Sequence, residues 1–275
     1  EKPITNITAD NVTIAASGNY AGGIIGYAPW TDYRKQQEIK YLTVSNSNIK
    51  GGTYVGGVLG YGRVNYMESN DNQITGNTYV GGVSGYAYYN NGNSTTTNGV
   101  IKGSASYIGG IAGYHDGLSN VKVYNTQIYG TTTSSNYVGG IGGIAAVAVS
   151  SALVQDCTIS SLGSRVGGIN GYRGASTSAV INTTLEGYSE VGGIVGRLES
   201  YRSQINTVYT NATVKATTHS AGGAVGYINN KYDITTRRSA VLRTGIYGST
   251  ISGTTNVGGL IGKVDIPVDS SVYYS

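Results

Sequence analysis

The amino-acid sequence predicts an all-β protein, a parallel β-solenoid (β-helix) of about nine coils that forms a single domain over residues 1–275. Three observations predict this class. A glycine motif recurs nine times, a block with Asn or Asp precedes nearly every copy, and apolar residues occur at odd spacings. Units of this length that resemble one another are typical of architectures in which each repeat stacks on its neighbours.

The glycine motif reads apolar-Gly-Gly-apolar-x-Gly and is usually followed by Tyr, as in YVGGVLGYG (residues 54–62). The glycine pairs begin at Gly22, Gly56, Gly81, Gly109, Gly139, Gly167, Gly192, Gly222 and Gly258. Two apolar residues three positions apart, such as Val55 and Val58, face the same side only if the backbone bends between them. We therefore predict a Gly-Gly bend in each repeat. Its structural glycines are Gly56, Gly57 and Gly60 in the second copy and Gly81, Gly82 and Gly85 in the third.

A second block precedes the glycine motif and places an Asn or Asp three residues before an apolar residue. This turn column consists of Asn11, Asn46, Asp71, Asn98, Asn125, Asp156, Asn182 and Asn211, with Gly248 in the ninth repeat. Asn, Asp and Gly tolerate the left-handed backbone region, and Asn and Asp also bond to neighbouring amides. The column predicts a turn that stacks from coil to coil.

The spacing of apolar residues across this block supports a bend there. Val44 and Ile49 are five residues apart, and an odd offset places two side chains on opposite faces of a straight strand. Both can point inward only if the chain bends at Asn46, so each repeat is expected to contain two or three short strands. Abundant Gly and β-branched residues exclude helical repeats. A propeller blade needs about 40 residues or more, whereas most of these repeats are shorter.

Composition excludes several classes of function. Charged residues make up 12% of the chain and the net charge is only +4, so we expect no nucleic-acid partner. The most apolar stretch, IGGIAAVAV (141–149), is far shorter than the ~20 residues that span a bilayer, so we expect no membrane insertion. The chain has 25 Tyr and no Phe, which predicts aromatic rings with an edge in water. Because Glu1 is not an initiator Met, we expect a secreted chain whose leader has been removed.

The repeats resemble a known family. Segments such as YVGGVLG, EVGGIVG and NVGGLIG are similar to the GLUG motif, and the similarity covers residues 4–264. That family occurs as tandem repeats in bacterial surface proteins, including adhesins and non-catalytic regions of secreted peptidases. The resemblance implies an extracellular β-solenoid at the cell surface and brings no catalytic residue.

No motif in the sequence predicts catalysis, a cofactor or a metal. His115 and His219 lie four repeats apart without a partner and are expected at the surface, and Cys157 stands alone in a column of small residues. The acids are scattered. Asp32 and Asp233 each lie near Arg residues but form no known motif, so a polysaccharide-active β-helix enzyme is only an alternative reading.

The insertions that follow the third glycine predict a binding surface, because insertions in solenoids often lie on one side. The candidate residues in these segments are Trp30, Tyr33, Arg34, Tyr88, Tyr89, Tyr232 and Arg237. Aromatic faces near Arg and Asn suit a glycan or a host-surface protein as partner, and solvated loops are the alternative reading. Tyr54 and Tyr61 beside the glycines form either stacked ladders or part of a recognised surface.

We therefore predict a non-catalytic extracellular repeat protein that acts as a stiff stalk or adhesion module of a microbial surface. Neither terminal repeat shows a polar capping element, so the end coils are expected to pair with something. End-to-end self-association would make the chain a filament subunit. Flanking repeats of the same chain are the other reading of these ends.

Overall fold

The computed structural model describes residues 3–29, 39–63, 65–88, 92–199, 204–229 and 240–265. These residues form an all-β structure, and none of them lies in a helix. The strands pair in parallel in all three sheets. Parallel pairing between sequentially distant strands is consistent with a β-solenoid.

The strands are short and follow one another closely along the chain. The first twelve are β1 (Ile4–Asp10), β2 (Thr13–Ala15), β3 (Tyr20–Gly22), β4 (Ile25–Tyr27), β5 (Ile39–Ser45), β6 (Asn48–Lys50), β7 (Tyr54–Gly56), β8 (Leu59–Gly62), β9 (Met67–Asn70), β10 (Gln73–Gly76), β11 (Tyr79–Gly81) and β12 (Ser84–Ala87). The next twelve are β13 (Thr95–Thr97), β14 (Val100–Gly103), β15 (Tyr107–Gly109), β16 (Ala112–His115), β17 (Ser119–Tyr124), β18 (Gln127–Gly130), β19 (Tyr137–Gly139), β20 (Gly142–Ala145), β21 (Val149–Gln155), β22 (Thr158–Ser161), β23 (Val166–Gly167) and β24 (Asn170–Tyr172). The last ten are β25 (Ala175–Gly187), β26 (Val191–Gly192), β27 (Val195–Glu199), β28 (Gln204–Ala216), β29 (Ala221–Gly222), β30 (Val225–Asn229), β31 (Ala240–Ile246), β32 (Thr250–Ser252), β33 (Val257–Gly258) and β34 (Ile261–Asp265).

These strands form three sheets. The first sheet has 16 strands, in the order β1-β5-β9-β13-β17-β21-β25-β22-β18-β14-β10-β6-β2, with β28, β31 and β32 joined beyond β25. The second sheet has nine strands, in the order β3-β7-β11-β15-β19-β23-β26-β29-β33. The third also has nine, in the order β34-β30-β27-β24-β20-β16-β12-β8-β4. Within one repeat the chain therefore passes through the first sheet twice, then through the second sheet and then through the third. It enters the first sheet again in the next repeat.

The register places equivalent residues of successive repeats beside each other. Ile49 pairs with Ile74 in the first sheet, and Val55 pairs with Val80 in the second. In the third sheet Tyr61 pairs with Tyr86. The columns that run across each sheet therefore consist of like residues.

The turn column has an unusual backbone conformation. Asn46 has a φ of 51°, and the two apolar residues on either side of it, Val44 and Ile49, are both fully buried. Seven members share a φ between 44° and 55°: Asn11, Asn46, Asp71, Asn98, Asn125, Asp156 and Asn182. Asn211 is the exception in this column, since it lies within strand β28 and has no positive φ. The register between β25 and β28 shifts between Ile181 and Thr183 to accommodate this difference.

The core is a column of apolar side chains enclosed by the three sheets. In the second repeat Leu42, Val44, Ile49, Val55 and Val58 have no exposed surface. Full burial of one such side chain contributes about 1.5–3 kcal/mol. Each repeat adds a similar set, so the core grows with every repeat.

The glycine pairs lie where the chain passes from the second sheet to the third. A Cβ atom on Gly82 would lie closer than 3.0 Å to the carbonyl oxygen of Gly110 in the following repeat. A Cβ atom on Gly85 would lie 2.5 Å from the amide nitrogen of Val55 in the preceding repeat. Only hydrogen fits at these positions, because the backbones of successive repeats approach each other directly.

A buried column of small polar residues lies next to the turn column. Thr126 Oγ1 donates to the Tyr124 carbonyl at 2.7 Å and accepts from the Gly99 amide at 3.3 Å in the preceding repeat. Cys157 occupies the same position one repeat later, and its Sγ lies 3.1 Å from the Gln155 carbonyl oxygen. Burial raises the pKa of the Cys157 thiol to about 11. Cys157 therefore replaces a hydroxyl in a structural hydrogen-bond column.

Candidate functional site

Tyrosine side chains form two columns beside the glycine pairs, one on the second sheet and one on the third. We call these columns the tyrosine ladders. The first ladder contains Tyr20, Tyr54, Tyr79, Tyr107 and Tyr137, which pair in register across β3, β7, β11, β15 and β19. The second ladder contains Tyr27, Tyr61, Tyr86 and Tyr114, across β4, β8, β12 and β16. The parallel register produces both ladders, because it repeats the same position in each coil.

The rings within the first ladder stack at a nearly constant interval. The centroids of Tyr54 and Tyr79 are 4.9 Å apart, and those of Tyr79 and Tyr107 are 4.8 Å apart. The two ladders meet edge to face, as between Tyr54 and Tyr61 at 5.6 Å. Aromatic pairs in such arrangements contribute about 0.5–1.5 kcal/mol each beyond the area that they bury. Because the ring faces contact each other, the ladders present ring edges and hydroxyls to solvent.

The surroundings of the ladders raise the pKa values of some of their phenols. Burial raises the pKa of Tyr79, and the neighbouring phenols Tyr107 and Tyr54 raise it further. The pKa of Tyr86 is also raised, first by burial and then by Tyr114. No described residue forms a hydrogen bond with the hydroxyls of Tyr54, Tyr79 or Tyr107. These three hydroxyls form an uncharged row of donors and acceptors.

In the later repeats both columns include charged residues among uncharged ones. The position of the first ladder is taken by Arg165 after Tyr137, and its guanidinium lies 4.7 Å from the centroid of that ring. Glu190 follows and pairs with Arg165 at 3.0 Å, and also with Arg197 of the third sheet at 3.5 Å. Arg197 also pairs with Glu199 at 3.0 Å. On one edge of the molecule a group of ion pairs therefore follows the tyrosine ladders.

Glu199 lies at the centre of this charged region. It accepts hydrogen bonds from the Tyr172 hydroxyl and from Asn229 Nδ2, the latter at 2.7 Å. Burial raises the pKa of the Glu199 carboxyl, but the Tyr172 hydrogen bond and the charge of Arg197 outweigh it and lower the pKa below its usual value. The carboxylate is thus held ionised by fixed partners, which suits a structural ion pair.

Tyr88 is the one candidate binding residue from the insertions that lies within the described residues. Its side chain is 8% exposed, and its hydroxyl donates to the Ala28 carbonyl at 2.8 Å. Its ring packs 5.3 Å from that of Tyr61. Tyr88 therefore offers little surface to a partner. The other six candidates lie outside the described residues: Trp30, Tyr33, Arg34, Tyr89, Tyr232 and Arg237. Asp32 and Asp233 also lie outside them.

The expectation that His115 lies at the surface is wrong. The side chain is fully buried in the third sheet between Ala87 and Ala145, and its Nε2 lies 3.4 Å from Asn170 Oδ1. The ring fits because Gly142 has no side chain, and a Cβ there would lie 2.6 Å from it. Desolvation lowers the pKa of His115 to about 4, although the hydrogen bond with Asn170 acts to raise this pKa. His219 is exposed, as expected.

Within the described ranges, no three His, Cys, Asp or Glu residues are placed to hold a metal ion. The same residues include no helix that is long and apolar enough to cross a membrane. A scan of protein-family models, a search of curated proteins and a search of solved structures found no match to this chain. The similarity to GLUG repeats therefore stays a prediction from the residues.

Proposed function

We propose that this chain is a non-catalytic, extracellular adhesive repeat module, and that its tyrosine ladders bind a neutral glycan. The observation that carries the proposal is the row of phenol hydroxyls on Tyr54, Tyr79 and Tyr107, with ring centroids 4.8–4.9 Å apart. A regular row of uncharged groups matches a polymer whose own hydrogen-bonding groups repeat along its length. Many weak, repeated contacts of this kind add up to avidity.

The proposed architecture is a solenoid of nine coils, with Asn- or Asp-containing turns and Gly-Gly bends. The nine strands in each of the second and third sheets support this number of coils. The left-handed φ at seven residues of the turn column supports the turns. Backbone contacts at the glycine pairs support the bends. Such a module is stiff, because the described strands of each inner repeat pair with those of both neighbouring repeats.

The residue types of this chain fit a location on the outside of a microbial cell. Charged residues are only 12% of the chain, and hydroxyl and amide side chains take their place. The similarity to GLUG repeats points in the same direction. A host-surface protein is the other partner class that the sequence suggests, and a glycan is favoured because the ladder hydroxyls are regular and uncharged.

The test is binding to an array of neutral polysaccharides by the wild type and by a triple variant, Tyr54→Phe, Tyr79→Phe and Tyr107→Phe. The variant keeps the stacked rings and removes only the hydroxyls. We expect it to melt close to the wild type and to bind at least ~10-fold more weakly, since each lost hydrogen bond contributes about 0.5–1.5 kcal/mol.

The matched control is the double variant Tyr209→Phe and Tyr247→Phe. These tyrosines are exposed and their ring centroids are 6.3 Å apart, but Tyr209 lies in β28 of the first sheet and Tyr247 directly follows β31. The control should bind as the wild type does. Equal binding by the triple variant, or no binding of any array glycan by the wild type, would overturn the proposal.

A further inference from the structure

We infer that Tyr86 and Tyr114 are a site of oxidative coupling, where a one-electron oxidant of the haem-peroxidase class joins the two rings and links two neighbouring repeats covalently. Both residues belong to the second tyrosine ladder and pair in register across β12 and β16. Described repeats flank the pair on both sides, since Tyr61 precedes it and Ile144 follows it in the same column. The inference does not depend on the ligand proposed for the ladders.

The geometry of this pair differs from that of the other ladder neighbours. The ring centroids of Tyr86 and Tyr114 are 4.3 Å apart, and the ring planes are inclined by 13°. Successive rings of the first ladder are 4.8–5.2 Å apart, which is close to the spacing of the strands. A single bond between two phenol rings leaves their centroids at about the separation seen for Tyr86 and Tyr114. Coupling therefore requires these two rings to turn, whereas rings at the strand spacing would also have to approach each other.

The hydroxyls of this pair have a path for the protons that oxidation releases. The Tyr86 hydroxyl donates to the Tyr114 oxygen, and the Tyr114 hydroxyl donates to the Asp116 carboxylate. Burial raises the pKa of Tyr114, and the charge of Asp116 raises it further. A phenol that loses an electron becomes a strong acid, so a nearby carboxylate favours the oxidation by accepting the proton. Among the described residues no carboxylate acts on the pKa of Tyr79 or Tyr107 in the first ladder.

Ring contacts connect this pair with the other tyrosines of both ladders. The Tyr86 ring lies 5.0 Å from that of Tyr61 and 5.8 Å from that of Tyr79, measured between centroids. A radical formed on one of these rings can therefore move to a neighbouring phenol by exchange of an electron and a proton. The second ladder ends at Tyr114, because the next residue of the column is Ile144, which has no ring. Oxidation that enters this ladder is thus retained at the pair.

The sulfur side chains, which oxidants often attack first, are protected. Met67 has no exposed surface and Cys157 is 3% exposed, and these are the single Met and the single Cys of the chain. Burial raises the pKa of the Cys157 thiol to about 11, so little of the reactive thiolate is present near neutral pH. The rings of Tyr86 and Tyr114 are partly exposed. Sulfur oxidation therefore competes little with oxidation of these phenols.

The reaction is a two-electron oxidation by hydrogen peroxide, which the peroxidase carries out in two one-electron steps. Each phenol gives up one electron and its hydroxyl proton. The two radicals then form a carbon–carbon bond between the Cε atoms beside the hydroxyls. The hydrogens on these two carbons leave as protons, and each phenol oxygen takes up a proton again. The peroxide accepts the two electrons and the two remaining protons and becomes two waters, so the product lacks two hydrogens.

The bond closes the chain from Tyr86 to Tyr114, which is one complete repeat, and fastens two neighbouring coils to each other. A cross-link of this kind restricts the unfolded chain, so the coupled protein should unfold at a higher urea concentration. With a single Cys, the chain forms no intrachain disulfide. Coupling of the ladder therefore supplies a covalent link between repeats that cysteine does not.

The experiment treats the dilute 275-residue chain with a haem peroxidase and hydrogen peroxide, isolates the monomer and maps its tryptic peptides by mass spectrometry. Trypsin releases Tyr86 within residues 64–102 and Tyr114 within residues 103–122. We expect these two peptides to be joined, with a mass two hydrogens below their sum. The monomer should show dityrosine fluorescence and a higher urea midpoint than the untreated chain.

Single substitutions identify the coupled rings. Tyr114→Phe keeps the stacked ring and removes the hydroxyl, so the joined peptide should be lost. The matched control is Tyr107→Phe, which lies in the same peptide but in the first ladder, 4.8 Å from Tyr79, and it should couple as the wild type does. If Tyr114→Phe fails to fold, Tyr86→Phe removes the other partner and should give the same loss. Asp116→Asn should slow the coupling, because the amide does not accept the phenol proton.

The inference is overturned if the wild-type monomer contains no joined peptide, if Tyr114→Phe still forms it, or if Tyr107→Phe loses it. An unchanged rate in Asp116→Asn would overturn the role of that carboxylate. The triple variant proposed above for glycan binding retains both Tyr86 and Tyr114. It should form the joined peptide whether or not it has lost glycan binding, so the two proposals can fail separately.

Discussion

Buried His115 should make the protein sensitive to mild acid. Its pKa is about 4 in the folded state against an ordinary value of 6.5. The unfolded chain therefore binds a proton first as the pH falls. The contribution of His115 to stability is complete above pH 6.5 and is lost as the pH decreases towards about 4. The full difference of 2.5 pKa units corresponds to about 3.4 kcal/mol, and about 2 kcal/mol of it is lost by pH 5.

The assay is the free energy of unfolding in urea, measured from pH 7 to pH 4.5 for the wild type and for His115→Gln. Glutamine does not titrate and can still reach Asn170, so the variant should lose about 2 kcal/mol less than the wild type between pH 7 and pH 5. His219→Gln is the matched control, because that side chain is exposed. Equal losses of stability in the wild type and in His115→Gln over this range would contradict a lowered pKa of His115 in the folded state. An NMR titration that places the pKa of His115 near 6.5 would contradict it equally.

Three further predictions concern the interior columns. Gly82→Ala should destabilise the fold by about 3 kcal/mol or prevent folding, because its Cβ would overlap the Gly110 carbonyl. Gly99→Ala should change the urea midpoint little, and a similar loss for both would contradict this account. Cys157→Ser should keep the unfolding free energy within about 1 kcal/mol, because a hydroxyl makes the same hydrogen bonds. The folded wild type should resist Ellman's reagent at pH 8, since the thiol is buried with a pKa raised to about 11. Rapid stoichiometric labelling without denaturant would contradict that placement.

The all-β class and the parallel arrangement could be predicted because they follow from local, repeated signals. The odd spacing of residues such as Val44 and Ile49 implies a bend within their own repeat. This bend can be inferred without information about neighbouring repeats. The long strands β25 and β28 could not be predicted in this way. Their continuity depends on the register between neighbouring coils, which shifts at Asn182.

The candidate site was less accessible from the sequence. The tyrosine before each of the first five glycine pairs is visible as a repeat, but only stacking across repeats shows that Tyr54 and Tyr79 share a ladder. The burial of His115 could not be predicted from the sequence for a similar reason. The space for its ring comes from Gly142 and Asn170 in later repeats, and no local pattern reports that space. Tyr88 lies in a variable insertion, yet its hydroxyl reaches Ala28, which is 60 residues away in sequence.

At the edge that carries the tyrosine ladders, the contacts that stabilise the fold differ from the side chains that determine the surface chemistry. The register is maintained from Tyr20 to Asn256, although the column changes from Tyr to Arg165 and Glu190 along the way. Backbone hydrogen bonds and the glycine contacts hold the coils together at this edge, so they do not require one particular outward side chain. Loss of ladder hydroxyls should therefore alter binding without altering the fold. The glycines cannot vary in this way, because the space that they leave is itself the contact between coils.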